Sequence, residues 1–406
     1  MVIIAAVREV RLLLVGRGLR AFVDGYVAVL LPAYLLALGY GTWQVGLLST
    51  ATLLGSALAT LALGAWGHRA SPRLLLLGAA VLMTATGLGF AGLSTFWPLL
   101  VVAFVGTLNP SAGDVSVFLP LEHSRLSLAA EGDARTRLFA RYSLTGALCA
   151  AVGALAAAVP DALTGLGVDR LTALRGMFVA YSGVGALLCV LYARLPQRAP
   201  EHAVAPAPLG PSRGTVVKLA ALFSVDAFAG GLVVNSLLAL WLFQRFGLSL
   251  TAAGAFFFWA GMLTALSQLA APWVARRIGL LNTMVFTHAP SSLFLIFAAF
   301  APNLGLALTF LLLRALLSQM DVPTRSAYVM AVVTPAERAA AASFTAVPRS
   351  LAAALSPTLG GALFATGFLA APLVACGCLK IAYDLALWRV FRQHPGAFVV
   401  SKTDTK

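Results

Sequence analysis

Apolar residues run along this chain in long stretches, separated by short clusters of Gly, Pro and charged residues. A helix needs about 20 apolar residues to cross a hydrocarbon core of about 30 Å, so each stretch predicts one transmembrane helix. Six stretches occupy roughly 9–38, 44–67, 73–93, 96–121, 136–159 and 171–193. Residues 195–214, LPQRAPEHAVAPAPLGPSRG, hold five of the chain's twenty prolines and no apolar periodicity, and they predict a linker. Six more stretches follow at roughly 215–245, 250–274, 281–301, 303–332, 338–367 and 370–392. The expected architecture is an all-α membrane protein of 12 transmembrane helices. Residues 1–194 form one six-helix bundle, 195–214 the linker, and 215–406 a second bundle with a short tail.

Composition agrees. The 406 residues are 60% hydrophobic and 10% charged, with a mean hydropathy of +0.91. Soluble domains carry about 45–50% apolar and about 25% charged residues. An ordinary soluble enzyme and a disordered protein are thereby excluded. The net charge of +14 comes from Lys and Arg placed mostly between the apolar stretches. With the N-terminus inside, 19 of these cations fall in inside segments and three (Arg170, Arg175, Arg245) outside. That asymmetry predicts cytoplasmic termini and a cytoplasmic linker in a cell (inner) membrane. No nucleic-acid-binding motif accompanies the charge. Cys149, Cys189, Cys376 and Cys378 all sit in apolar stretches and read as small core residues.

The halves repeat. Val23-Asp24-Gly25-Tyr26 in the first stretch and Val225-Asp226-Ala227-Phe228 in the seventh share a Val-Asp-small-aromatic pattern, offset by 202 residues. Ser111-Ala112-Gly113-Asp114-Val115 in the fourth and Ser318-Gln319-Met320-Asp321-Val322 in the tenth share S-x-x-D-V, offset by 207. Arg141 and Arg349 occupy the fifth and eleventh, offset by 208. Three matches in one order at nearly one offset indicate an internal duplication.

Buried charge is expensive in a bilayer, about 2.5–3.5 kcal/mol at a helix centre on insertion scales, so charged residues within spans point to functional sites. Arg314, Ser318, Asp321 and Arg325 follow at i, i+4, i+7 and i+11, one face of a continuous helix. Thr107, Ser111 and Asp114 repeat that face in the fourth stretch, and Arg17, Arg20 and Asp24 form another in the first. In the seventh, nine residues separate Asp226 from Asn235, which places them on opposite faces unless Gly230-Gly231 breaks the helix.

In its six-plus-six arrangement the chain resembles a transporter of the major facilitator superfamily (MFS). The loop Gly64-Ala65-Trp66-Gly67-His68-Arg69-Ala70-Ser71-Pro72-Arg73 is similar to that family's G-x-x-x-D-R-x-G-R-R. Gly64, Arg69 and Arg73 match, while His68 replaces the Asp and Ser71 the second Gly. Arg277 and Gly279 survive in the counterpart loop, with Arg276 in the Asp place. Ser356-Pro357-Thr358-Leu359-Gly360-Gly361 resembles the G-P-x-x-G-G element of drug–proton antiporters, on the eleventh span instead of the fifth. The resemblance implies two pseudo-symmetric bundles, with helices 1, 4, 7 and 10 lining a cavity. The polar stripes fall on those four.

Several roles are expected. Desolvation favours the proton on a buried Asp and a nearby Arg opposes it, so Asp24 and Asp226 are the proton-coupling candidates; a permanent ion pair of Asp24 with Arg20 or Arg17 is the alternative. Arg20, Arg314, Ser318, Asn235 and Gln268 are the substrate-binding candidates. Asp114–Arg141 and Asp321–Arg349 are expected as ion pairs of a cytoplasmic gate, with static helix–helix contact as the alternative. Lys380 and Asp384, at i and i+4, read as a helix-surface pair. His288 reads as a packed histidine. Glu122, Glu131 and Asp133 read as members of a solvated segment without chemistry.

The expected function is secondary active transport of a small organic molecule by alternating access, as proton-coupled export by an antiporter. Proton-coupled uptake or exchange of an organic anion is the alternative, and a non-transporting sensor or scaffold a remote one. No G-x-x-x-x-G-K-[ST] loop is present for ATP hydrolysis, and no G-x-S-x-G marks a nucleophile, so no enzyme is expected. No cofactor or metal is expected. The expected partners are the substrate, protons and the lipid bilayer, without nucleic acid, for a monomer.

Overall fold

A computed structural model describes residues 2–111, 116–129, 132–197 and 209–393. Its regular structure among these residues is helical. The first half holds α1 (Val2–Ala37), α2 (Thr42–Trp66), α3 (Pro72–Gly92), α4 (Phe96–Val105), α5 (Phe118–Ser127), α6 (Gly132–Leu155), α7 (Val159–Gly165) and α8 (Arg170–Ala193). The second holds α9 (Arg213–Gly231), α10 (Asn235–Phe246), α11 (Leu250–Ile278), α12 (Leu280–Ala299), α13 (Leu304–Ser318), α14 (Asp321–Val332), α15 (Arg338–Ala365) and α16 (Ala371–Phe391).

Ten segments of the described residues are long and apolar enough to cross a membrane, and α4 is a shorter apolar helix. Two of the twelve expected spans fall outside the ten. The fourth is split between α4 and α5, and the 28-residue α15 carries two prolines and Arg349.

Three expected helices are broken, and each break has a local cause. In the fourth stretch α4 ends at Val105, residues 106–111 are not helical, and α5 begins at Phe118. Gly106 and the turn-forming Asn109-Pro110 lie there. Thr107 and Ser111 therefore stand on irregular backbone and not on a helical face, and Asp114 lies outside the described residues. The tenth stretch breaks between Ser318 and Asp321. The break lies just before Pro323, which has no N–H to offer the carbonyl four residues back, at Gln319. Arg314 and Ser318 thus belong to α13, Asp321 and Arg325 to α14, and the continuous stripe does not exist. In the seventh stretch α9 ends at Gly231 and α10 starts at Asn235, so the glycine break is the outcome found.

The chain groups into two compact units, Met1–Ala203 with Val234–Phe258, and Val204–Val233 with Trp259–Lys406. In the first, α1 packs on α6 and α8, α3 on α8, α2 on α4, and α10 on α1 and α2. The α1–α6 crossing needs glycine: a Cβ on Gly25 would strike the Ala150 carbonyl, and one on Gly153 the Phe22 carbonyl. In the second, α9 packs on α15 and α16, and α12 on α13, α14 and α16. Phe223, Met284, Tyr328, Tyr383, Leu387 and Phe391 belong to one apolar core there.

Candidate functional site

Each unit encloses a cluster of charges. In the first, Arg20 of α1 is 2% exposed and Glu122 of α5 is fully buried. Arg20 Nη2 donates to Glu122 Oε2, as does the Tyr142 hydroxyl, and the Tyr192 hydroxyl donates to Oε1 at 2.6 Å. The Arg20 guanidinium also lies 4.2 Å from the Phe118 ring centroid. One helical turn beyond Glu122, Arg125 Nε donates to Glu9 Oε1 at 2.6 Å and its Nη2 to the Pro196 carbonyl at 2.9 Å. Two charge pairs of opposite polarity thus tie α5 to α1. The solvated reading of Glu122 is corrected: α5 is amphipathic, with Phe118, Leu121, Glu122, Arg125 and Leu126 on its buried face. Their i, i+3, i+4 spacing is a helical signal present in the sequence.

Arg20, expected at the substrate, is therefore engaged with Glu122. Asp24 stands one turn further along α1 and is 9% exposed. The positive charges in its surroundings are Arg20 and Arg17, and Tyr26 and Tyr181 also lie within electrostatic range. Among the described residues Asp24 makes neither an ion pair nor a hydrogen bond; the Arg20 salt bridge goes to Glu122. Tyr26 donates to the Met177 carbonyl and Tyr181 bonds Thr107, which fixes both phenols around it.

Asn235 also finds a protein partner. Its Nδ2 donates to the Ser111 carbonyl at 2.8 Å, the Ser236 N–H to the Pro110 carbonyl at 3.0 Å, and the Ser236 hydroxyl lies 3.1 Å from that of Ser49. The start of α10 thereby satisfies backbone of the unwound fourth span. Backbone groups at membrane depth need such partners, or water, because lipid offers none.

The second unit is built around Asp226 of α9. Lys380 Nζ of α16 donates to Asp226 Oδ1 at 2.6 Å, and Arg325 Nη1 of α14 to Oδ2 at 3.2 Å. Arg325 Nη2 is also 3.3 Å from Asp321 Oδ2. His288 of α12 places Nε2 3.6 Å from Asp226 Oδ1 and Nδ1 3.0 Å from both Asp384 oxygens. The expected Lys380–Asp384 surface pair is corrected. The two side chains lie on one side of α16, but that side is interior, and each takes a different partner.

Other candidates are dispersed. Asp321 pairs with Arg325, and the structure does not bring it into an ion pair with Arg349, which is half-buried on α15. Arg141 is exposed on α6. Arg314 and Ser318 of α13 and Gln268 of α11 are half-buried, with Cys376 in electrostatic range of Arg314. A cavity of 410 Å³ lined by Leu36, Asp161, Arg170 and Phe243 includes none of the candidates. Among the described residues no cluster of His, Cys, Asp or Glu is arranged to hold a metal ion.

The family model for the Major Facilitator Superfamily matches residues 13–318. The chain belongs to that superfamily. This MFS protein is 25% identical over 423 residues to the uncharacterized membrane protein YJR124C of Saccharomyces cerevisiae, covering 95% of this chain and 94% of the relative. Among solved structures, the nucleoside transporter NupG superposes with a TM-score of 0.73 at 16% identity, over 95% of this chain and 99% of that one. The D-xylose-proton symporter gives 0.72 at 17% identity, over 98% and 99%. At such identities the structural likeness concerns the MFS fold alone.

Proposed function

We propose that this MFS protein is a secondary active transporter of a small organic molecule, coupled to protons through Asp24 and working as an exporter by antiport. The observation that carries the coupling is the contrast between two Asp residues in equivalent repeat positions. Asp226 is surrounded by Lys380, Arg325 and His288, so that both of its oxygens face cationic or titratable partners. Among the described residues Asp24 is buried without an ion pair, its neighbour Arg20 already engaged with Glu122. A carboxylate in that position can exchange a proton without dismantling the fold. Each proton crossing the membrane carries about 2.3 kcal/mol per 100 mV, enough to drive a modest solute gradient. The aliphatic and aromatic character of the spans suits an amphiphilic substrate, and hence export. A second reading, exchange or uptake of an organic anion, is favoured by Arg314 and Arg349. Neither has a carboxylate within ion-pair distance among the described residues.

The test is transport in proteoliposomes under an imposed pH gradient, with ethidium as an aromatic cation and benzoate as an aromatic carboxylate. Gradient-driven flux of ethidium is expected. Asp24→Asn is expected to lose the gradient dependence while retaining exchange. Full coupling in Asp24→Asn would overturn the proton role of Asp24, and flux of benzoate alone would favour the anion reading.

A further inference from the structure

Among the described residues, the contact network of the second unit is one positive charge short. Asp226, Asp321 and Asp384 are the three carboxylates, and Lys380 and Arg325 are the fixed cations touching them. All are buried or nearly so, the most exposed side chain being Lys380 at 12%. An uncompensated charge inside a protein is strongly unfavourable, so the network calls for one more cation. Two sources stand beside it.

The first is His288. Its Nδ1 faces the Asp384 carboxylate, which fixes a proton on that nitrogen. Its Nε2 faces two groups of opposite demand, Lys380 Nζ at 3.3 Å and Asp226 Oδ1 at 3.6 Å. Unprotonated, Nε2 accepts from the Lys380 ammonium. Protonated, it becomes a donor, repels Lys380 and turns to Asp226. The second source is Arg349 of α15. It lies within electrostatic range of Asp226, Asp321, Arg325 and Tyr383, pairs with none of them, and its Nε is buried without a hydrogen-bond partner. The helix that carries it packs on α9, the helix of Asp226.

We propose that His288 is a proton-binding site, and that a proton on its Nε2 and an inward approach of Arg349 are alternative ways of neutralising the three carboxylates. An inward Arg349 expels the proton, and a retreating Arg349 recruits one. A displacement of α15 is thereby converted into uptake or release of a proton at α12. The charged and titratable groups against the ring are Asp226 from α9 and Lys380, Tyr383 and Asp384 from α16, with Asp321 and Arg325 from α14, Arg349 from α15 and Cys376 from α16 reaching it through Asp226 and Lys380. Arg314 of α13 stands beyond Cys376. The use of this proton in transport rests on the reading given under Proposed function; its binding does not.

The experiment is nitrogen-15 NMR of the full chain in nanodiscs, labelled at histidine. Nitrogen shifts distinguish the two neutral tautomers from the imidazolium. The chain has five histidines, and His288→Gln assigns the signal. A neutral form with the proton on Nδ1 is expected at high pH and the imidazolium at low pH. In Arg349→Gln the imidazolium is expected to persist about one pH unit higher, a tenfold gain in proton affinity, and in Arg349→Lys to match the unaltered chain. Size-exclusion profiles confirm that each variant is folded. Identical titrations in the unaltered chain and Arg349→Gln, or a neutral ring with its proton on Nε2, would overturn the proposal. If His288 titrates as expected while proteoliposomes show no proton-coupled flux, the proton site stands and the transport reading fails.

Discussion

Lys380 and Asp226 are 154 residues apart and meet at 2.6 Å, the closest charge contact that Asp226 makes. Removing one member of a buried pair typically costs about 3–5 kcal/mol, because the other is left uncompensated. Lys380→Met is therefore expected to lower thermal stability in detergent steeply, and Asp226→Asn/Lys380→Met to be more stable than additivity of the single losses would give. Additive losses in the cycle would show that the two residues do not depend on each other.

Asp24 should behave oppositely to its repeat counterpart. Among the described residues it has no ion pair to lose, so Asp24→Asn is expected to change unfolding free energy by less than about 1 kcal/mol, in the ordinary range for a point change. Asp226→Asn strands Lys380 and Arg325 and is expected to cost about 3 kcal/mol or more. Thermal unfolding of the two purified variants provides the comparison, and equal losses would contradict the asymmetry between the halves.

Glu337 lies outside the spans, in a short 3-10 turn between α14 and α15. It accepts from the Gly210 and Ser212 N–H groups, from the Ser212 hydroxyl at 2.6 Å and from the Thr334 hydroxyl at 2.6 Å. These bonds lower its pKa to about 2. A carboxyl with a depressed pKa stabilises fully above its unfolded value and loses that contribution as pH falls through the folded one. The latch is thus expected to hold at pH 4 and to fail towards pH 2. Hydrogen exchange at the Gly210 and Ser212 amides should be slow at pH 4 and accelerated, at the same pH, in Glu337→Ala. Equal exchange in both chains would show that the bonds are not formed.

At the α1–α6 crossing, Gly25→Ala and Gly153→Ala place a methyl group against a backbone carbonyl that cannot move alone. Overpacking of this kind costs about 1–3 kcal/mol. Gly64→Ala meets nothing within 4 Å and is expected to be neutral or slightly stabilising, since alanine suits a helix better. Melting temperatures of the three variants would show the contrast.

The sequence displays the spans and the duplication because both are written as periodicity and spacing. Asp24 and Asp226 stand out for the same reason. Their partners do not. Lys380 and Asp384 share a helix face, but nothing in an i, i+4 spacing says whether that face meets lipid, α9 or α12. Glu122 was obscured by its position at the charged end of an apolar stretch, where burial depends on how α5 docks on α1. The breaks at Asn109-Pro110 and Pro323 were visible as residues and overruled by the length of the surrounding apolar runs. Hydropathy measures transfer of side chains and is blind to a missing backbone hydrogen bond.

Because α10 and residues 250–258 group with the first unit, the linker is one of three places where the polypeptide passes between its two units. Ser236 and Asn235 are bonded to Ser49, Pro110 and Ser111. A coding region split at the linker would consign those partners to separate fragments. Reassembly from co-expressed pieces would then depend on helix α10 of the later piece reclaiming its place in the earlier one, whereas a cut between α11 and α12 would keep α10 in place and part α9 from α15 and α16 instead.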